Sequence, residues 1–224
     1  MTPVAERPAG CSSTSFVAAP AKIEFALYYE ALCPYCQDFV ANNLSDALDK
    51  GVLEMANIKL VPYGNARTNS SGQISCQHGS NECTGNRLEN CVLDRMTKAN
   101  ETMLRKLKAI VCLETKGWEQ GATWTSALDA CADGFSLNRS DLTTCYTGAE
   151  GEALHRAAGE ATPKDHQYVP WVVVDGSHVN TNDENQILGS KGLFPWICNK
   201  WASIGGTKPA NCPSSNNQIT LIDN

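Results

Sequence analysis

An α/β fold carrying a large helical, disulfide-rich insertion is what the order of patterns along this chain predicts. Three observations carry that expectation. A strand pattern hands over directly to a helix at a Cys-x-x-Cys motif, the middle of the chain is helical and rich in cysteine, and strand and hairpin patterns return before a closing helix.

Taken in order, residues 1–20 are rich in Pro, Ala and Ser and read as a loose lead-in. From Lys22 the chain alternates, with Ile23, Phe25, Leu27 and Tyr29 on one face, which is the period of a strand. Cys33-Pro34-Tyr35-Cys36 follows, and then Phe39, Val40, Leu44, Ala47 and Leu48 recur at helical spacing. Pro34 suits the first turn of that helix, where a missing N–H costs nothing, and Gly51 is a stop signal. Ile58–Val61 reads as a second strand ended by Pro62. Gly, Asn and Ser dominate to Gly85, after which one long helix is expected over 88–113, with further helices over 123–132 and 139–159. Strand character returns at Trp171–Val174, and Asp175-Gly176 signals a hairpin. A last helix carries Ile197, Cys198, Trp201 and Ile204. This is the order of a thioredoxin-like domain over 21–204, interrupted by an insertion at about 64–162 and followed by a polar tail over 205–224.

Composition narrows the function classes. A net charge of −6 with no Lys/Arg cluster offers nothing to neutralise a phosphate backbone, which argues against a nucleic-acid partner. No stretch reaches the ~18 apolar residues of a membrane span. Eleven cysteines are the outlier, unusual for a cytosolic protein of this size, and they point to the secretory route, where cysteines serve as staples. Asn-x-Ser/Thr sites at Asn43, Asn69, Asn100 and Asn138 agree. Asn43 falls on the apolar face of the first helix, so Asn69, Asn100 and Asn138 are the glycosylation candidates. The N-terminus has no apolar signal core, and the cysteine count favours a signal already removed.

The chemistry is expected at the dithiol. At a strand-to-helix junction Cys33 lies at the helix N-terminus, where unpaired N–H groups and the dipole favour a thiolate. Cys36 lies one turn in, placed to resolve a mixed disulfide on Cys33. A zinc half-site or a plain staple is the alternative. A tetrahedral zinc site needs four ligands, and no second Cys-x-x-Cys or matching His pair is present, so no metal and no other cofactor is expected. Val169-Pro170-Trp171 has the form of the proline-led strand that a thioredoxin-type site sets beside its dithiol, as a cis bond, or of an ordinary trans proline at a strand start. Pro34, Tyr35, Val169 and Pro170 are accordingly the substrate-binding candidates. Glu30 could assist proton transfer from Cys36, but reads first as a solvated surface carboxylate.

A second cluster carries a resemblance. Cys76-Gln77-His78-Gly79-Ser80-Asn81-Glu82-Cys83-Thr84-Gly85-Asn86, with Cys91 five residues on, resembles the signature of the gamma-interferon-inducible lysosomal thiol reductase family at every signature position. Leu60–Ala66, Val169–Val172 and Lys208–Pro213 are similar to other segments of that family. The resemblance implies a reductase of protein disulfides in the endosome–lysosome system, working in acid, with a small thiol as electron donor and Cys33 and Cys36 as the catalytic pair. It implies glycosylation and trimming at the termini. The structural disulfide candidates are Cys76, Cys83, Cys91, Cys112, Cys131, Cys145, Cys198 and Cys212, in pairings the sequence does not select. Cys11 or Cys212 is the odd cysteine, available for a disulfide-linked homodimer. His78 is expected to be a structural residue outside the active site. Another oxidase or isomerase of the same fold, or a non-catalytic disulfide-rich binding module, are the competing readings.

Overall fold

The computed structural model describes residues 20–214. A four-stranded sheet in the order β2-β1-β5-β6 forms its centre, with β1 (Ile23–Tyr29) parallel to β2 (Ala56–Pro62) and antiparallel to β5 (Trp171–Val174). β6 (Ser177–His178) closes the hairpin, with Asp175 and Gly176 both at positive φ, the conformation a two-residue turn between twisted strands requires. The alternation in β1 divides the interior. Ile23, Phe25, Leu27 and Tyr29 enter the main core, while Tyr28 joins Val61, Tyr63, Ala158 and Trp171 on the other face.

The motif helix begins at α1 (Pro34–Asp38), passes through a π-helical stretch (Phe39–Leu44) and ends as α2 (Ser45–Asp49), where Gly51 takes the left-handed conformation expected of a stop. Asn43 lies within the π-helical stretch. It is half-buried, and its Nδ2 donates to the Leu188 carbonyl at 3.2 Å. Between β2 and β5 the chain makes a small hairpin, β3 (Arg67–Thr68) with β4 (Ile74–Ser75), and then α3 (Ser80–Lys98), α4 (Met103–Gly117), α5 (Trp124–Phe135), α6 (Arg139–Thr147) and α7 (Ala149–Ala161). α8 (Thr181–Leu188) and α9 (Leu193–Ser203) follow the sheet.

Two expected helices are each divided. The helix read over 88–113 breaks at Asn100, which adopts φ 58° just past α3 while Glu101 N–H bonds the Met96 carbonyl and Asn100 N–H bonds that of Thr97. That is a Schellman end, with Asn in the place glycine usually takes, and Thr102 then caps α4 by accepting from Arg105 N–H. The helix read over 139–159 is divided by the extended Gly148. α8 and the β3–β4 hairpin lie in polar segments that gave no periodic signal.

Among the described residues four disulfides form: Cys91–Cys145 joins α3 to α6, Cys112–Cys131 joins α4 to α5, Cys76–Cys83 holds the segment before α3 to its first turn, and Cys198–Cys212 holds the segment after α9 to that helix. Cys212 is therefore not the odd cysteine, and Cys11 lies outside the described residues. The start of the expected tail is also held, because besides the last disulfide Asn211 Nδ2 donates to the Lys50 carbonyl and Trp201 Nε1 to that of Thr207. No described helix is long and apolar enough to cross a membrane. Asn69, Asn100 and Asn138 are exposed.

Candidate active site

β1 ends at Tyr29, and a tight turn, with Cys33 N–H bonding the Glu30 carbonyl at 3.3 Å, delivers Cys33 to the N-cap of α1 with Pro34 as first helical residue. Cys33 and Cys36 are both unbridged and buried, Cys36 completely. The two thiols are driven apart in acidity. Cys33 is lowered to about 6, chiefly because its sulfur accepts the Cys36 S–H, with burial opposing and the N–H groups of Cys36 and Tyr35 and the charge of His78 assisting. Cys36 is pushed well up by burial, by donating to Cys33 and by the adjacent thiolate charge. The arrangement thus favours ionisation at Cys33 and keeps the proton on Cys36.

Val169 carries its carbonyl to 3.9 Å from Cys33 Sγ, and the Val169–Pro170 bond is cis. Pro170 itself is buried, whereas Pro34 is exposed and Tyr35 is the most exposed aromatic side chain described, at 76 %. Tyr168, beside Val169, is also exposed, with its hydroxyl donating to Glu184.

Two expectations are corrected here. Glu30 is not a solvated surface carboxylate. It is fully buried where β1 ends, accepting from Asn65 N–H at 2.7 Å, and burial pushes it up to about 7 against that hydrogen bond. The strand turns away after Tyr29 and packs Glu30 under Gly64, where a Cβ would come within 2.3 Å of its Oε2. Gly64 also takes φ 61°, so glycine is required there twice over.

His78 is likewise not remote from the dithiol. Its Nδ1 hydrogen-bonds Glu82 and lies 3.5 Å from Glu30 Oε1, and its charge reaches Cys33. The Glu82 hydrogen bond and the two carboxylate charges hold the imidazolium above the ordinary histidine value, burial opposing.

The rest of the signature serves the same place. Asn86, fully buried, accepts from Ala31 N–H at 2.9 Å and donates to the Tyr63 carbonyl, so α3 grips the loop that ends in Cys33. Gly85 lets the helix approach so closely, since a Cβ there would meet Trp124 at 2.4 Å and Ala31 at 2.7 Å. Gln77 Oε1 accepts from Asn65 Nδ2.

Behind Cys36 lies a group for which the sequence gave no expectation. Glu89 of α3 and Glu114 of α4 are both fully buried, and Tyr29 Oη donates to Glu89 at 2.5 Å. Burial pushes both carboxyls up, and Glu114 bears on Cys36 and Cys33. Two carboxyls in such contact require a proton between them.

Two clusters bring three metal-ligand atoms within 4.8 Å of one another: Glu30, His78 and Glu82, and Cys76, Cys83 and His155. In the first, His78 bonds Glu82 directly as an ion pair. In the second, the two sulfurs are bonded to each other, which leaves histidine alone as a ligand.

Comparison with known proteins bears on the family and the fold. The family described as gamma interferon inducible lysosomal thiol reductase (GILT) matches residues 24–135. A gamma-interferon-inducible lysosomal thiol reductase of Carassius auratus is 33 % identical over 205 residues, covering 88 % of this chain and 74 % of the relative. A gamma-interferon-responsive lysosomal thiol protein of Arabidopsis thaliana is 30 % identical over 199 residues, covering 87 % and 77 %. Among solved structures, the reduced disulfide bond oxidoreductase DsbG of Mycobacterium tuberculosis superposes with a TM-score of 0.52 at 18 % identity, covering 88 % of this chain and 86 % of that one, which bears on the fold alone. The chain belongs to the gamma interferon inducible lysosomal thiol reductase family and is a thiol–disulfide oxidoreductase of thioredoxin-like fold.

Proposed function

We propose that this chain reduces protein disulfides in an acidic compartment of the endosome–lysosome system, with Cys33 as nucleophile and Cys36 as resolving thiol. The observation that carries the reading is the opposed acidity of two thiols one helical turn apart. At pH 5 a thiol near 6 is roughly one-tenth thiolate, against about one part in ten thousand for a thiol at its ordinary 9.0. Cys33 therefore keeps a working fraction of nucleophile where an ordinary cysteine has almost none.

The Cys33 thiolate attacks one sulfur of the substrate disulfide, and the other leaves as a thiolate that takes a proton. Cys36 gives up its proton and attacks Cys33 Sγ, expelling the second substrate sulfur. The substrate gains two electrons and two protons, and the enzyme is left with a Cys33–Cys36 disulfide. A small-thiol donor restores the dithiol, two thiols becoming one disulfide. Pro34 and Tyr35, exposed beside Cys33, and the Val169 carbonyl facing it with Pro170 behind offer the substrate an apolar surface and a backbone acceptor.

Burial of Glu30, Glu89 and Glu114 favours the same pH range. Neutral in acid, Glu30 and Glu114 do not oppose the Cys33 thiolate, and ionised they would. The lysosomal setting is drawn from the relatives' names, and glycans at Asn69, Asn100 and Asn138 and a homodimer linked through Cys11 belong to the same proposal. The deciding experiment is reduction of a denatured disulfide protein near pH 5 and near pH 7, with Cys33→Ser as control. Cys33-dependent activity that is higher in acid is expected. Activity confined to neutral pH would remove the acid-compartment assignment, and none at either pH would remove the catalytic one.

A further inference from the structure

A groove of about 600 Å³ opens on the side of the molecule between the β3–β4 hairpin, the start of α3 and α7. The Cys76–Cys83 disulfide forms part of its wall, with Arg87, Glu152, His155 and Arg156. Cys76 is partly exposed. His155 is almost wholly buried, its Nε2 has no hydrogen-bond partner, and one imidazole nitrogen lies within 4.8 Å of both sulfurs. Arg87 Nε is also buried and unpartnered, and its Nη1 lies 3.7 Å from Glu152, while Arg156 Nη1 donates to the Gly72 carbonyl. The lining thus carries two guanidinium groups against one carboxylate, beside a disulfide and a buried imidazole with an unused nitrogen.

We propose that this groove docks a small carboxylate-bearing thiol, which opens the Cys76–Cys83 disulfide with His155 relaying the proton. The thiol's carboxylate is held by Arg87 and Arg156, and its sulfur attacks one of the two cystine sulfurs. The S–S bond breaks as the new one forms, and the departing sulfur receives, through the imidazole, the proton the incoming thiol gives up. A second thiol displaces the first from the mixed disulfide, so two thiols leave as one disulfide and Cys76 and Cys83 become thiols. Burial and the charge of Arg87 push His155 down to about 4, so at pH 5 it is a neutral imidazole with a nitrogen free to accept. The opening matters because the loop closed by this disulfide carries His78 and Glu82, which pack against Glu30 beside the dithiol.

The test uses the full chain carrying Cys33→Ser and Cys36→Ser, so that electrons cannot reach the disulfide through the active-site pair and failure here is separate from failure of the reductase reading. 3-Mercaptopropionate and cysteamine, one anionic and one cationic, are compared at equal thiolate concentration, and opening of each disulfide is followed by differential alkylation and mass spectrometry. The anionic thiol is expected to open Cys76–Cys83 about tenfold faster than the cationic one, with no such preference at Cys112–Cys131. His155→Gln should slow the opening at Cys76–Cys83 by roughly tenfold or more and leave Cys112–Cys131 unchanged. Should that buried substitution prevent folding, Arg156→Gln on the groove wall should bring the two thiols' rates together. Equal rates for both thiols in the parent chain, or a preference untouched by Arg156→Gln, would overturn the proposal.

Discussion

The buried carboxyls make stability itself depend on pH, and Glu89→Gln isolates one of them. Glu89 is fully buried, pushed from an ordinary 4.5 to about 7 first by burial, with the hydrogen bonds to Glu114 and Tyr29 acting the other way. A carboxyl raised in the folded state binds its proton more tightly there than in the unfolded chain. Its contribution to stability is therefore complete below 4.5 and is lost as pH rises through about 7. That interval corresponds to about 3 kcal/mol as an upper bound. His155 acts in the opposite sense. Pushed down to about 4, it contributes above its ordinary 6.5 and loses that contribution as pH falls. The total pH slope of the wild type is therefore a mixture, and the difference between variants is the quantity to read. Glutamine at 89 can still accept from Tyr29 and donate to Glu114, while removing one titration. Urea unfolding with disulfides intact, at steps from pH 4.5 to 7.5, should show the wild type losing about 2–3 kcal/mol more than Glu89→Gln over that range. Parallel slopes for the two proteins would refute the reasoning, since they would mean Glu89 ionises as easily folded as unfolded.

Alkylation of the reduced protein against pH should give a midpoint near 6 for Cys33, with Cys36 unreactive. A midpoint near 9 would mean that neither the Cys36 thiol nor the helix start stabilises the thiolate. Gly64→Ala should cost at least about 1 kcal/mol more than Gly176→Ala in urea unfolding, because both sit at positive φ but only Gly64 would drive a Cβ into Glu30. Equal costs would show that Glu30 moves aside freely. Asn86→Ala should cost about 1–3 kcal/mol by leaving the Ala31 N–H unpaired, and should slow disulfide reduction through the displaced Cys33 loop. Unchanged stability and rate would show that the loop holds itself. Peptide mapping should find Asn43 without a glycan, its amide being engaged with Leu188, and an occupied Asn43 would contradict the packing of the π-helical stretch.

What could be read from the sequence were features written locally. The alternation from Ile23 to Tyr29, Pro34 at a helix start, Gly51 at its end and Asp175-Gly176 at a hairpin each depend on a few adjacent residues, and each is in place. The break at Asn100 was also written locally, in Asn100 and Thr102, but the flanking apolar period masked it. The dithiol stood out because its spacing is its chemistry. Glu30 did not, because nothing near it in sequence says that the chain turns inward after Tyr29. Its burial depends on Gly64 and Asn65, more than thirty residues away, and on the start of α3. The disulfide pairings were equally out of reach, since Cys91–Cys145 and Cys112–Cys131 depend on how α3 to α6 stack, and Cys198–Cys212 on where the segment after α9 folds back.

The inward face of α3 explains why a search for apolar periodicity passed over the site's supports. Glu82, Asn86 and Glu89 stand at i, i+4 and i+7, the spacing of a buried stripe, but all three are polar. Each meets a different part of the active-site frame: Glu82 meets His78 beside Glu30, Asn86 the Ala31 backbone, and Glu89 the Tyr29 hydroxyl. Among the described residues, neither Glu89 nor Glu114 has a Lys, Arg or His within ion-pair distance, and Glu30 and Glu82 share His78 alone. A core with four carboxyls and one imidazole around it is best accommodated when most of the carboxyls carry protons, because an unpaired buried charge is costly. The same protons relieve the repulsion that would otherwise raise the Cys33 thiol. Protons on these side chains therefore favour folding in acid and keep the Cys33 pKa low, while the thiolate fraction itself still falls with pH, and replacing Glu30 or Glu114 by glutamine should flatten the pH dependence of stability.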